Sequence, residues 1–274
     1  MAFEFNKIYV IESLVKGERT GQELYNSVIR WFEDRRGIGS EFYSVGSKEE
    51  LISLLEEISS NCVSNGFKPL IHFEIHGLKD KSGLALVDDS ISWDNLSYFL
   101  RKINEASRWN LNLTMAVCYG NYFLKTLSPT KPSPVAGFVG SFEEITEGDF
   151  VPRFEDFYST LRDTLSLDHA INAMMDQNRQ FVKGFSYIDA RRIFSEVYNM
   201  YLEHQFTDEV LWKRYLMACQ KNAISPNPEM FQPFVELAYG KREEFFIEQK
   251  KIFFMINEFP ENETRFPIFL KEVI

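Results

Sequence analysis

The chain is short of cysteine, of histidine and of positive charge, and each shortage narrows what it can be. Its three cysteines, Cys62, Cys118 and Cys219, are odd in number and widely spaced; that argues against a disulfide framework and suits reduced thiols in the cytoplasm. Thirty basic side chains against 40 acidic ones leave a formal net charge of −10. A field of that sign repels phosphate backbones and anionic lipid, so neither nucleic acid nor a membrane is an expected partner. No uncharged apolar run approaches the roughly 18 residues needed to span a bilayer. The first residues, Met1-Ala2-Phe3-Glu4-Phe5, lack the basic region and small-residue cleavage site of a secretory signal. The sequon at Asn112-Leu113-Thr114 therefore carries no expectation of glycosylation. There is no glycine-rich phosphate loop either, which disfavours a nucleotide enzyme, and no cofactor is expected.

What the chain does have is 274 residues of 45% hydrophobic composition, enough for one large α/β domain or for such a domain with a helical appendage. Residues 5–12 read as a first strand. Thr20 to Arg36 read as a helix with Leu24, Val28, Trp31 and Phe32 at helical spacing, ended by Gly37 and Gly39. Residues 41–45 read as a second strand. Ser47 followed by Glu50 has the form of a capping box, opening a helix that buries Leu51, Leu54, Leu55 and Ile58. This alternation predicts a largely parallel sheet with helices on both faces and right-handed crossovers.

Two apolar strands in the middle of the chain each end on a reactive residue. Leu70-Ile71-His72-Phe73-Glu74-Ile75 closes on His76-Gly77, and Leu111-Asn112-Leu113-Thr114-Met115-Ala116-Val117 closes on Cys118-Tyr119-Gly120. Side by side and parallel, they would present imidazole and thiol together at their carboxyl ends, where open α/β sheets build their sites. A thiol beside an imidazole forms a thiolate–imidazolium pair, and the thiolate attacks carbonyls. A helix starting near Tyr119 would add a favourable dipole. The competing reading is that Cys118 is simply core, since cysteine is among the most buried residue types.

The two strand ends, with the hairpin at Gly83-Leu84-Ala85-Leu86 and the helix from Ile91-Ser92-Trp93-Asp94-Asn95-Leu96 between them, resemble the caspase-like cysteine peptidases, most nearly their bacterial CHAT branch. The likeness runs from about Phe5 to Asn178. It implies a three-layer sandwich over 1–187 in which Cys118 is the nucleophile, His76 the acid–base partner, and the backbone N–H groups of Gly77 and Cys118 the oxyanion hole. It further implies a substrate groove floored by Ala116 and walled by Gly140, Ser141 and Phe142, after a strand at 135–139. A protein substrate, a latent enzyme and a role in defence against phage belong to the same implication. An alanine floor leaves a charged substrate residue without a partner, so an uncharged residue before the scissile bond is expected unless Asp80, Asp88, Asp89 or the C-terminal region supplies charge.

Two other classes compete. A caspase-like pseudoenzyme acting as an interaction module would carry a broken dyad, and this dyad is intact. A metal-dependent hydrolase could use His72, Glu74 and His76, which share one strand face, but such a site needs a further strong ligand and an open position, and neither His169 nor His204 is paired at helical spacing. The charged turn at Lys79–Gly83 reads as a solvated hairpin tip and Ser128–Pro134 as an exposed loop. Helices at 148–163 and 166–179 and an edge strand over Phe181–Tyr187 complete the first region. Residues 188–274 read as phenylalanine-rich helices broken near Thr207, Ser225–Pro228 and Pro260, either packed as core or used for a dimer or a regulatory partner.

Overall fold

A computed structural model describes residues 4–175 and 184–273. The chain divides into two compact units, one made of residues 1–126 and 133–190 and the other of residues 127–132 and 191–274. Among the described residues no helix is long and apolar enough to cross a membrane.

The first unit is an α/β layer structure. Its strands run β1 (Lys7–Ser13), β2 (Gly39–Ser44), β3 (Pro69–Gly77), β6 (Asn112–Ala116), β7 (Gly137–Ser141) and β8 (Phe185–Asp189), arranged in the order β2-β1-β3-β6-β7-β8. All neighbouring pairs up to β7 are parallel, and β8 closes the edge antiparallel to β7. The edge strand expected over Phe181–Tyr187 lies later, at Phe185–Asp189, and Phe181, Val182 and Lys183 fall outside the described residues. The short strands β4 (Gly83–Ala85) and β5 (Ser90–Ser92) extend the end of β3 as antiparallel ribbons.

The first helical run departs from a regular helix. It consists of α1 (Thr20–Leu24), a π turn over Tyr25–Ile29, and α2 (Trp31–Arg36), which ends where Gly37 adopts φ 67°. The wider turn brings Val28 and Ile29 inward together, with Leu24 and Phe32. Trp31, expected inside, is rotated out to 37% exposure and is covered by the Arg30 guanidinium at 4.4 Å. Ser47 caps α3 (Lys48–Asn65) in the expected box with Glu50.

One face of the sheet is covered by this run together with α5 (Glu147–Thr164) and α6 (Leu167–Met174). Ile8, Val10, Leu70, Ala116 and Val139 from the strands meet Leu24, Ile29, Phe32, Phe154, Tyr158 and Leu161 there. On the opposite face α3 brings Cys62 beside Tyr9. Trp93, which opens α4 (Trp93–Ala106), meets Phe123, and Phe123 meets Phe138. Each Leu- or Phe-sized side chain buried this way contributes roughly 2 kcal/mol.

The second unit is helical: α7 (Ala190–Gln205, whose first residue belongs to the first unit), α8 (Asp208–Lys221), α9 (Phe231–Gly240), α10 (Arg242–Phe253) and α11 (Asn262–Arg265). Thr207 caps α8 with its side chain. Phe194, Tyr198, Phe246, Phe253, Phe254 and Phe266 are all buried and meet ring to ring. This part of the phenylalanine surplus is core.

Candidate active site

The strand order reverses between β1 and β3, since β1 connects outward to β2 on one side while β3 leads to β6 on the other. A crevice at the carboxyl ends of such strands is where open α/β sheets hold ligands. A cavity of about 210 Å³ lies at that point, lined by Glu18 and Thr20 after β1, Glu74 and His76 on β3, Ala116 and Cys118 at the end of β6, and Ile145 to Glu147 with Phe150 leading into α5. It has room for one side chain.

His76 and Cys118 therefore share one cleft. The β3–β6 register ends with Glu74 opposite Ala116, and the same alternation two residues on leads to His76 and Cys118. Gly77 makes the approach close. A Cβ built on it would stand 1.9 Å from the Cys118 carbonyl oxygen, a distance no side chain tolerates.

Neither reactive group is bonded to the other here. His76 Nε2 lies 2.9 Å from Glu18 Oε2, and the two side chains are 57% and 40% exposed. The half-buried Cys118 Sγ accepts the Ile145 N–H at 3.4 Å and lies 3.5 Å from the Ile145 carbonyl, to which its S–H donates. Among the cysteines Cys118 stands apart. Cys62 and Cys219 are buried, and burial pushes the Cys62 thiol up to about 12.

The helix expected to begin near Tyr119 begins at Gly120 and is not an α-helix. Tyr119 adopts φ 60°, which breaks the chain direction, and its N–H is taken by the Glu143 carbonyl. The chain continues instead as a seven-residue 3₁₀ helix, Gly120–Thr126. Such a short element gives no dipole argument for the thiol.

The residues expected to wall a groove lie outside this cavity. The strand expected at 135–139 runs over Gly137–Ser141, so Gly140 and Ser141 are strand residues with buried positions. A Cβ on Gly140 would meet the Asn121 side chain at 2.5 Å. Phe142 is 46% exposed and packs on Tyr122 at 5.8 Å. None of the three lines the cavity, whereas Ala116 does, and on the side leading into α5 the wall is Ile145, Thr146, Glu147 and Phe150.

The charged turn after His76 is more than solvated. Lys81 lies over the rings of Tyr119 and Tyr122 at 5.1 and 4.8 Å and donates to the Tyr122 hydroxyl at 3.2 Å. Asp80, Asp88 and Asp89 do not line the cavity, and its carboxylates are Glu18, Glu74 and Glu147.

His72 and Glu74 do not present themselves to a metal with His76. The His72 ring is fully buried, edge-on to Phe154 at 4.8 Å, with Nδ1 2.9 Å from Thr114 Oγ1 and Nε2 2.8 Å from Glu74 Oε2. Tyr158 OH lies 2.6 Å from Thr114 Oγ1, and the Thr20 hydroxyl donates to Glu74 Oε1 at 2.5 Å. One assignment satisfies every member: Tyr158 donates to Thr114, Thr114 to His72, and His72 and Thr20 to Glu74. Among the described residues no three His, Cys, Asp or Glu side chains are grouped to hold a metal ion.

Glu12 lies opposite Glu74 across β1 and β3 and accepts the Gln22 N–H at 3.0 Å. Burial holds its carboxyl above the usual carboxylate range; the Gln22 N–H works against the rise and the Glu74 charge adds to it. Glu18, Thr20, Glu147 and the buried relay carry no local sequence signal and emerge only from the fold. In comparisons with known proteins, no protein-family model and no curated sequence matches the chain.

Proposed function

We propose that the protein is a cysteine endopeptidase of the caspase-like kind, similar to the CHAT branch, with Cys118 as nucleophile and His76 as its acid–base partner. The observation that carries this reading is the shared cleft: a half-buried thiol and an imidazole line one side-chain-sized cavity at the carboxyl edge of a mostly parallel sheet. In the reaction the Cys118 thiolate forms a bond to the carbonyl carbon of the substrate peptide. The C–N bond breaks as imidazolium His76 gives its proton to the leaving amine. Water then adds to the thioester, losing a proton to His76, and the C–S bond breaks to release the carboxylic acid and the thiolate. The backbone N–H groups of Gly77 and Cys118 are the proposed oxyanion donors.

The Cys118 thiol is bonded to Ile145, which supports a latent form in which substrate binding or a triggering signal frees the thiol. A place in defence against phage is a further expectation of the resemblance. The lining of the cavity supports a different specificity from the uncharged one expected. Its floor at Ala116 is apolar, and exposed Glu147 stands among its lining residues while Glu18 and Glu74 are already bonded. A long side chain with an apolar stem and a cationic tip, lysine or arginine, fits that combination better than an acidic one.

The test uses peptidyl acyloxymethyl ketones carrying Lys, Leu or Asp next to the warhead. Covalent labelling of Cys118, strongest with Lys and absent in Cys118→Ala and His76→Ala, is the expected result. Labelling that ignores His76, or peptide hydrolysis that survives Cys118→Ala and stops with chelator, overturns it.

A further inference from the structure

We infer that Glu18 is the positioning residue of this site, the third group that holds His76 in one orientation for Cys118; this rests on the peptidase reading. The His76 side chain is 57% exposed, so packing does not fix its ring. Its bond to Glu18 at 2.9 Å does. A carboxylate accepting Nε2–H leaves Nδ1 as the acceptor nitrogen of the neutral ring, and so decides which nitrogen can take a proton from the thiol. A contact this exposed contributes little binding energy. Its effect is on geometry.

For such a contact to be reliable the loop carrying Glu18 must itself be fixed, and the fold fixes it two residues away. The Thr20 hydroxyl is bound by Glu74, and the Gln22 N–H by Glu12, on adjacent strands. Gly21 fits between them: a Cβ there would lie 2.9 Å from the Glu74 side chain and 3.0 Å from Glu12 Oε1. Glu74 is held in turn by His72, and His72 by Thr114 and Tyr158. On the near side, the Glu18 N–H closes a turn onto the Val15 carbonyl. The buried polar chain, costly to leave half-satisfied and absent from the proposed chemistry, thereby gains a purpose. It anchors the β1–α1 loop so that Glu18 meets a histidine 58 residues further along the chain.

The experiment follows alkylation of Cys118 by iodoacetamide at pH 7, read by the mass of the peptide that carries it, in the whole protein and in His76→Ala, Glu18→Ala and Glu18→Gln. Thermal unfolding of each variant confirms that it is folded. Loss of orientation should slow the Glu18→Ala reaction roughly tenfold, toward the rate of His76→Ala. Glu18→Gln keeps a side-chain oxygen to accept Nε2–H and should stay within about threefold of the parent. A parent-like rate in Glu18→Ala alongside a slow His76→Ala overturns the role of Glu18 and leaves the dyad standing. Equal slowing in Glu18→Gln and Glu18→Ala also overturns it, because the lost quantity is then charge. A parent-like rate in His76→Ala removes the dyad itself, and Glu18 with it.

Discussion

The α-carbon of Gly77 sits against the carbonyl of Cys118, with the oxygen 1.9 Å from where a Cβ would be. Substituting Gly77→Ala therefore moves backbone on one side or the other. Since the displaced atoms belong to the strand end that carries the thiol, about 1–3 kcal/mol of stability should be lost. Cys118 labelling should fall by at least about 100-fold. Chemical denaturation and warhead labelling of the same variant check both, and an unperturbed, fully reactive Gly77→Ala would contradict the close approach.

Replacing Thr114→Val keeps the shape and removes both hydroxyl contacts. Tyr158 OH and His72 Nδ1 are then left in the core without their partner, at a cost of about 2 kcal/mol or more. Urea denaturation reads this directly. A change within about 0.5 kcal/mol would mean the chain is not the tight network its distances describe.

Glu12 has a pH signature of its own. Its folded carboxyl is held above its ordinary value of 4.5, so the folded protein binds this proton more tightly than the unfolded chain does. Below about pH 4.5 both states are protonated and the contribution to stability is fully present. It is lost as pH rises through the raised folded value. Glu12→Gln keeps an oxygen for the Gln22 N–H and has no proton to lose. The melting temperature of Glu12→Gln minus that of the parent should therefore grow from pH 4 to pH 7, and a difference that stays flat across that window rules the assignment out.

The proposed cationic preference makes Glu147 a specificity residue. In Glu147→Lys, labelling by the lysine ketone should drop about tenfold relative to the leucine ketone, while the leucine rate itself holds. Parallel loss with both reagents would instead point to damage at the start of α5.

Features set by neighbours along the chain are legible in the amino-acid sequence. Ser47 with Glu50 is one, because a capping box closes within four residues. The two strand ends at His76 and Cys118 are others, each an apolar run stopping at small residues. The parallel α/β architecture follows from the alternation of periods. The π turn at Tyr25–Ile29 is not legible, since the extra residue shifts which side chains face the sheet without any glycine or proline to mark it. The bounds of β7 lie two residues from their expected place because its pairing with β6 and β8 sets them, not its own apolar pattern. Glu18 is one of several charges in Lys16-Gly17-Glu18-Arg19, and only the fold distinguishes it from its neighbours.

The division of the chain has a consequence for how it can be taken apart. Residues 127–132 group with the helical unit while the segments on either side of them belong to the sheet unit. The polypeptide thus passes from one unit to the other three times, and a stop codon after Ala190 does not excise one self-contained module. It strips a six-residue excursion, Leu127 to Pro132, of the helices it groups with, just downstream of the 3₁₀ helix after Cys118. A protease cut within that excursion, by contrast, leaves two fragments that each still hold part of both units. Nicked protein should accordingly remain associated on a sizing column in native buffer and separate only in denaturant.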